Sequence, residues 1–388
     1  MPDNPADVLV VGGGPAGLFA AERLARAGVH AVVCEEHAIV GDPVHCTGIL
    51  AAESFDQFDL PRDAILNTLT AARFVSPSGI TVRHETTTPL AAVIDRAAFD
   101  RSLARRAVAA GAEIHIGSRV SALEFEPSCV HAIAGTMRLR ARLVILACGA
   151  NYAFQRRIGL GVPKLYLQTA QRELPAERLA DVELHFGRRI APRGFAWAVP
   201  VARQGGLYVR IGIMAERDAL GGYLRMVDRM RGPLGLASDG ARPRQKILPL
   251  GAIGRTVGAR VMAIGDAAGL VKPTTGGGIY YSIVSAALAA DVAIDALWRD
   301  RLDAGTLSAY ERAWRRQLDD EFTAQRALRE VATRLTDEGI DRLFELAQTD
   351  GIMPIVRSTA GFNRHRDLVW ALFKHPPARR VLFRSVLG

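Results

Sequence analysis

Asp7-Val8-Leu9-Val10-Val11-Gly12-Gly13-Gly14-Pro15-Ala16-Gly17 begins as a short apolar run and ends in a glycine turn, and Leu18 to Ala27, rich in helix formers, follow it. This is the pattern of strand, turn and helix. Gly28 closes the helix as a C-cap, and Ala31 to Cys34 give a second strand that stops at Glu35. The whole is a βαβ unit. Gly12 permits the tight turn, Gly14 lets backbone approach a pyrophosphate, and Gly17 lets the helix pack on the strand. Pro15 and Ala16 complete a loop whose helix N-terminus faces the phosphates. Glu35, with Glu36 after it, stands about 20 residues beyond the loop, where a carboxylate accepts hydrogen bonds from a ribose diol. The unit is therefore read as a dinucleotide site.

Outward from that unit, two strand-like runs between Arg73 and Arg83 flank the turn Ser76-Pro77-Ser78-Gly79, and Ala97 to Ala110 form an amphipathic helix. Short strands follow near Glu113 to Gly117, at Val120 to Phe125 and from Leu143 to Cys148, where Gly149 follows. Residues 160 to 250 read as an antiparallel lobe, because Gly194 to Val201 and Leu207 to Met214 are strand-like and joined by a short polar turn. Val261 to Ile264 is another buried-type strand, and from Leu307 onward charged and apolar residues alternate at helical spacing.

The 388 residues, 49% hydrophobic and 23% charged, suffice for a sizeable core. A net charge of +9 admits nucleic acid, an anionic membrane or acidic substrates as partners. Nucleic acid is set aside, since zinc-finger spacing, basic heptads and aromatic RNA-binding signatures are all missing. The four cysteines, Cys34, Cys46, Cys129 and Cys148, form no CxxC pair, so a reducing cytoplasm and no metal are expected. The apolar stretch Ile279 to Trp298 carries Asp291 and Asp295 and is read as a packed core helix.

A second motif, Gly265-Asp266-Ala267-Ala268-Gly269-Leu270, is followed by Pro273 and by Gly276-Gly277-Gly278-Ile279 at the start of that helix. It resembles the second flavin-contacting segment of the group that includes p-hydroxybenzoate hydroxylase and the geranylgeranyl reductases. Further stretches narrow the resemblance to the geranylgeranyl reductases: Gly41-Asp42-Pro43-Val44-His45-Cys46-Thr47-Gly48, Ile94-Asp95-Arg96-Ala97-Ala98-Phe99-Asp100, and Gly194-Phe195-Ala196-Trp197-Ala198-Val199-Pro200. It extends over most of residues 7 to 300; beyond them the chain is similar only in being helical. Thr47, Val201 and Cys148 depart from the family pattern.

The resemblance implies an α/β fold in which a Rossmann-like FAD-binding domain carries an inserted antiparallel β-sheet substrate domain and a helical C-terminal region. The expected FAD-binding domain comprises residues 1–60, 95–160 and 250–300, the substrate lobe 61–94 and 161–249, and the helical region 301–388. FAD is the implied cofactor. Its implied contacts are the glycine loop, Glu35, Glu36, Cys46, Arg96, Gly149, Gly265, Asp266, Pro273, Gly276, Gly277, Gly278 and Ile279. NAD(P)H or a ferredoxin is the implied electron donor, because only one dinucleotide motif is present. The implied activity is reduction of isolated C=C bonds in a prenyl lipid. A flavin monooxygenase or halogenase is the rival enzyme, and a non-catalytic flavoprotein carrying lipid or electrons is the third reading.

Phe195, Trp197 and Val199 project to one face of a strand, either as the wall of a prenyl-binding tunnel or as ordinary sheet core. Cys46 and Trp197 are the candidate catalytic residues, with a buried structural thiol as the other reading of Cys46. Cys34 and Cys148 are read as core. Arg96 either contacts the cofactor or pairs with Asp100 on its own helix. Lys272 either lends charge to a reduced flavin or reaches solvent. The tail from Asn363 to Leu387 mixes Leu368, Trp370, Leu372, Phe373 and Leu382 with Arg364, Arg366, Lys374, Arg379, Arg380 and Arg384. It either rests on an anionic bilayer, making the protein peripheral to the membrane, or docks as a helix on the fold.

Overall fold

Val8, Leu9, Val10 and Val11 are all buried, as a strand covered on both faces requires. Their strand, Ala6–Val11, lies at the centre of a parallel array in the computed structural model, which describes residues 5–178, 180–237, 240–349, 351–359 and 361–387. It pairs with Ala31–Cys34 on one side and Met137–Leu146 on the other. Glu113–His115 extends the array beyond Ala31–Cys34, and Val261–Ala263 extends it beyond Met137–Leu146. The helices Pro15–Arg26, Arg96–Ala109 and Ile279–Trp298 pack together against this sheet. Ile279–Trp298 is long and apolar enough to cross a membrane, yet 67% of its most apolar window is buried, with Ala286, Ala289, Ala290 and Ala293 inside the core. Small side chains allow that close approach.

The strand expected at Leu143 to Cys148 begins earlier, at Met137, and ends at Leu146. Its first half alternates Met137, Arg138, Leu139 and Arg140 because it pairs with Val130–Ala134 as a hairpin with one exposed face, whereas the second half is buried on both faces.

A second sheet has seven strands, in the order Arg244–Pro249, Tyr166–Pro175, Gly206–Ala215, Phe195–Arg203, Val182–His185, Ala71–Val75 and Thr81–Glu85. Val182–His185 and Ala71–Val75 run parallel, so the sheet is not wholly antiparallel. These two strands come from distant parts of the chain with no tight turn between them, and only such a turn forces antiparallel pairing. The helix Ala219–Leu234, not foreseen from the sequence, covers the outer face, where Tyr223, Met226 and Met230 pack on Val209, Ile211 and Ile213. Ile49–Ala51, Ala91–Ile94 and Ile65–Leu69 form a small third sheet.

The C-terminal region is helical, over Ala304–Ala332, Asp337–Thr349, Ile352–Thr359, Arg366–Lys374 and Pro376–Leu387. Val369, Ala378 and Leu382 are buried, the last against Val331 and Leu335, so the tail docks on the fold. Arg364, Arg366, Lys374, Arg379 and Arg380 are exposed, while the side chains of Arg384 and Leu387 lie outside the described residues.

Candidate active site

The first glycine turn is fixed by three different constraints. Gly12 has φ +111°, and a Cβ there would lie 2.5 Å from the carbonyl oxygen of Ala147. A Cβ on Gly17 would lie 2.0 Å from the carbonyl oxygen of Gly12, so only glycine lets the helix seat on the strand. Gly14 is different: a Cβ there meets nothing within 4 Å, because it faces an open cavity. The buried carboxylate of Glu35 accepts from Gly13 N–H at 2.7 Å and from His37 N–H at 2.9 Å. It ties the loop to the end of the second strand and, with His37 Nδ1 also on its Oε1, stands on the cavity wall.

The second glycine segment forms the opposite wall. Asp266 lines the cavity, and its carboxylate has no hydrogen bond within the described residues; burial raises its pKa against the pull of Arg96 and Lys246. A Cβ on Gly278 would come within 2.8 Å of its Oδ1. Gly276, at φ +73°, and Gly277 bring the chain into Ile279–Trp298, whose N-terminal N–H groups and Ile279 side chain face the cavity. Gly17, Gly265 and Pro273 stand behind the wall and do not line it. Gly265 donates its N–H to Ser285 Oγ at 2.9 Å, and Pro273 is buried, so they shape the loop from behind.

Lys272 does not reach solvent. It is 3% exposed, donates from Nζ to the carbonyl of Phe362 at 2.5 Å and lies 4.7 Å over the centre of that ring. Burial lowers its pKa to about 8, with Glu321 and Glu53 pulling the other way. Between about pH 8 and the ordinary value of 10.5 the unfolded chain holds a proton on this group that the folded chain has released, so its contribution to stability rises with pH there. Thermal melts of wild type and Lys272→Met at both ends of that interval should show the wild type gaining on the variant as pH increases; parallel curves would refute a buried ammonium.

Cys46 lies on the cavity wall, with its Sγ accepting from Gly48 N–H at 3.3 Å. Arg96 lies against it and also grips Asp100 through Nε at 3.1 Å and Nη2 at 2.9 Å, so the helix pairing and the cavity position coexist. Gly149 and Glu36 line the same cavity, as does Cys148, which is partly buried and packs against the edge of the core. The strand ends at Leu146, two residues before it, which turns Cys148 out of the sheet. Beside Cys46, Thr169 Oγ1 donates to the carbonyl of Lys246 at 2.9 Å, leaving it to accept from His45 Nε2 at 3.2 Å. Burial, Lys246 and Arg244 push His45 down to about 4, so the ring is neutral at pH 7 and its bare Nδ1 is an acceptor without a partner among the described residues.

From the glycine loops the cavity continues past Phe195, Trp197 and Val199 into an apolar tunnel, about 1280 Å³ in all. Ligand pockets commonly measure about 300–1,000 Å³, so this one holds more than a single small ligand. Phe74, Phe186, Phe195, Trp197 and Phe344 form a chain of ring contacts with centroids 5.8–6.5 Å apart. Leu343, Met353 and Leu372, from three C-terminal helices, close the tunnel. Sequence reasoning missed this contribution, along with His45, Thr169 and Lys246; amphipathic spacing showed that those helices had an apolar face, not what it would cover.

Comparison with known proteins fits this geometry. Digeranylgeranylglycerophospholipid reductase 1 of Methanopyrus kandleri is 30% identical over 376 residues, covering 89% of this chain and 98% of that one. The chain belongs to the geranylgeranyl reductase family. A family model described as lycopene cyclase protein also matches residues 7–349, so the chain belongs to that family too. Digeranylgeranylglycerophospholipid reductase 2 of Methanothermobacter thermautotrophicus is 30% identical over 87% of this chain and 90% of its own. Among solved structures, a geranylgeranyl bacteriochlorophyll reductase-like protein from Thermoplasma acidophilum superposes with a TM-score of 0.86 at 23% identity, covering 98% of this chain and 99% of its own. Halogenase PltM in complex with phloroglucinol and FAD reaches 0.67 at 15% identity, over 96% and 87% of the two chains. Both likenesses speak to fold. Like its family, the chain is an oxidoreductase, and an FAD complex is among the solved structures that share its fold. The open face of Gly14 and the partnerless Asp266 carboxylate are what such a cofactor needs from this structure.

Proposed function

We propose that this geranylgeranyl reductase homologue saturates isolated C=C bonds in the prenyl chain of a lipid, with FAD held between the Gly12 loop and the Gly276 loop. The observation that carries the reading is the continuity of one cavity from the glycine loops into an aromatic and aliphatic tunnel. Its relatives are named for reduction of a geranylgeranylated glycerophospholipid. Gly14, Pro15 and Ala16 would receive the pyrophosphate, Glu35 the ribose, Asp266 the ribityl region, and the N–H groups after Gly276 the pyrimidine edge. Reduced FAD, when bound, supplies a hydride. The rest of the task falls to the chain's own residues. An unactivated alkene offers no carbonyl to polarise, so Phe195, Trp197 and Val199 act by fixing the chain's position and keeping water out. Cys46 Sγ, beside Arg96, is the atom assigned to carry the proton for the second alkene carbon.

NAD(P)H or a ferredoxin is the proposed donor. The exposed cations of the docked tail, with Trp370 at 48% exposure among them, are proposed to rest on the anionic inner surface of the membrane that holds the substrate. The test uses the FAD-loaded protein, reduced without oxygen and given a geranylgeranylated phospholipid in anionic vesicles. Mass spectrometry should find one added H₂ per reduced double bond, and Trp197→Ala should raise KM at least about tenfold while the flavin spectrum stays the same, because a wall of buried aromatic area is lost. Unreduced lipid, or oxygenated product once air is admitted, overturns the reading.

A further inference from the structure

At its turn end, which does not line the cavity, the hairpin of Val120–Phe125 and Val130–Ala134 gathers donors of three kinds. The register sets Phe125 opposite Val130 and Glu124 opposite His131, and the turn closes with Glu126 N–H donating to the carbonyl of Cys129 at 2.9 Å. Side chains alternate along each strand. Leu123, Phe125 and Val130 therefore turn to the core, while Glu124, Glu126, Cys129 and His131 share the other face. Cys129, though only 3% exposed, belongs to no hydrophobic cluster and is covered by polar groups.

Cys129 Sγ lies 3.4 Å from His131 Nε2 and 3.7 Å from Glu126 Oε2, and His131 Nε2 lies 3.5 Å from Glu126 Oε1. Ordinary zinc bond lengths to sulfur, imidazole nitrogen and carboxylate oxygen give tetrahedron edges of about 3.4–3.6 Å. Sulfur and imidazole nitrogen are thus already spaced for one ion, and the Glu126 carboxylate, which reaches each of them through a different oxygen, offers a ligand atom within 4.8 Å of both. The turn that carries them is pinned from below, since Arg260 donates to the carbonyl of Pro127 from Nε at 2.9 Å and from Nη2 at 2.6 Å. We infer that Glu126, Cys129 and His131 form a zinc site on this hairpin, with Glu124 or a water in the fourth position. Charge closes around it: a thiolate and two carboxylates face a dication and Arg140, the register neighbour of His131 on the next strand. The site staples the hairpin and takes no part in hydride transfer.

The experiment is equilibrium dialysis of chelator-treated, FAD-bound protein against Zn²⁺, with metal and protein quantified together. One Zn²⁺ per chain is expected. Loss of even an outer-shell partner weakens metal sites roughly tenfold or more, and His131→Gln and Glu126→Gln, both at exposed positions, should do at least that while leaving the flavin spectrum and melting curve of the metal-free protein unchanged. Cys129→Ser should abolish binding; because that residue is buried, the two exposed variants decide the matter if it does not fold. Zn²⁺ should also protect Cys129 from a thiol reagent. Failure to retain Zn²⁺, or equal retention by both exposed variants, overturns the site and leaves the flavin reading untouched.

Discussion

Gly14→Val should purify folded and colourless. A Cβ at this position meets nothing within 4 Å, and its φ of −82° suits any residue, so neither clash nor backbone strain opposes the substitution in the protein alone. The same open space is where the pyrophosphate must come close to backbone N–H groups at the start of Pro15–Arg26. Hydrogen bonds to a charged group contribute about 1.5–3 kcal/mol each, so displacing the phosphates from two of them costs about 3–6 kcal/mol. At about 1.4 kcal/mol per tenfold, FAD affinity should fall roughly 10²- to 10⁴-fold. Gly17→Ala is the informative contrast. Its Cβ would press on the carbonyl oxygen of Gly12 at 2.0 Å, so that variant should lose thermal stability even before FAD is added. The pair is read by flavin absorbance after gel filtration and by melts of the flavin-free proteins. A yellow Gly14→Val protein binding FAD at wild-type affinity would remove the glycine loop from the cofactor site.

That contrast marks what was legible in the sequence. Gly17 and Glu35 act on neighbours within a single βαβ unit, and local spacing determined their contacts, whereas Gly12 is constrained by Ala147 from a distant strand end. Lys272 shows the opposite case. Its residue type favours solvent, but the partner that holds it inside is the carbonyl of Phe362, 90 residues further along the chain. The same distance effect hid the parallel join between Ala71–Val75 and Val182–His185, and the closing of the tunnel by Leu343, Met353 and Leu372. Periodicity announces an apolar face; which face it meets depends on the packing of the whole chain. The zinc-spaced donors were invisible for a further reason. Glu126, Cys129 and His131 match no metal motif, and only the register of a tight hairpin brings them together.

Arg210→Met should be the most destabilising single change near the site, at about 3–6 kcal/mol, because it strips two backbone carbonyls of a buried charged donor, at about 1.5–3 kcal/mol each, and leaves the partly buried Glu173 to Arg203 alone. Arg210 is 3% exposed and central to its surroundings. Its Nε donates to Glu173 Oε2 at 2.8 Å, and its Nη1 donates to the carbonyls of Thr47 at 2.6 Å and Ile94 at 2.9 Å. Those two carbonyls belong to the loop that carries Cys46 and to the strand that leads into the helix of Arg96. Arg203 completes the network, reaching Glu173 at 2.6 Å and Asp95 at 2.7 Å. The seven-stranded sheet and the cysteine loop are thereby held by one guanidinium. Lysine should not rescue the variant, since a single ammonium lacks the fork that spans a carboxylate and two carbonyls. Acid pH supplies a separate readout. Burial alone would raise the pKa of Glu173, but hydrogen bonds from Arg203 and Arg210 outweigh it and hold the carboxylate below its ordinary 4.5. A depressed carboxylate contributes stability that is full above that ordinary value and disappears as pH falls through the lowered one. The gap in melting temperature between wild type and Arg210→Met should accordingly be widest above about pH 5 and shrink toward pH 3. A gap independent of pH would show that Arg210 acts through packing and the two carbonyls alone.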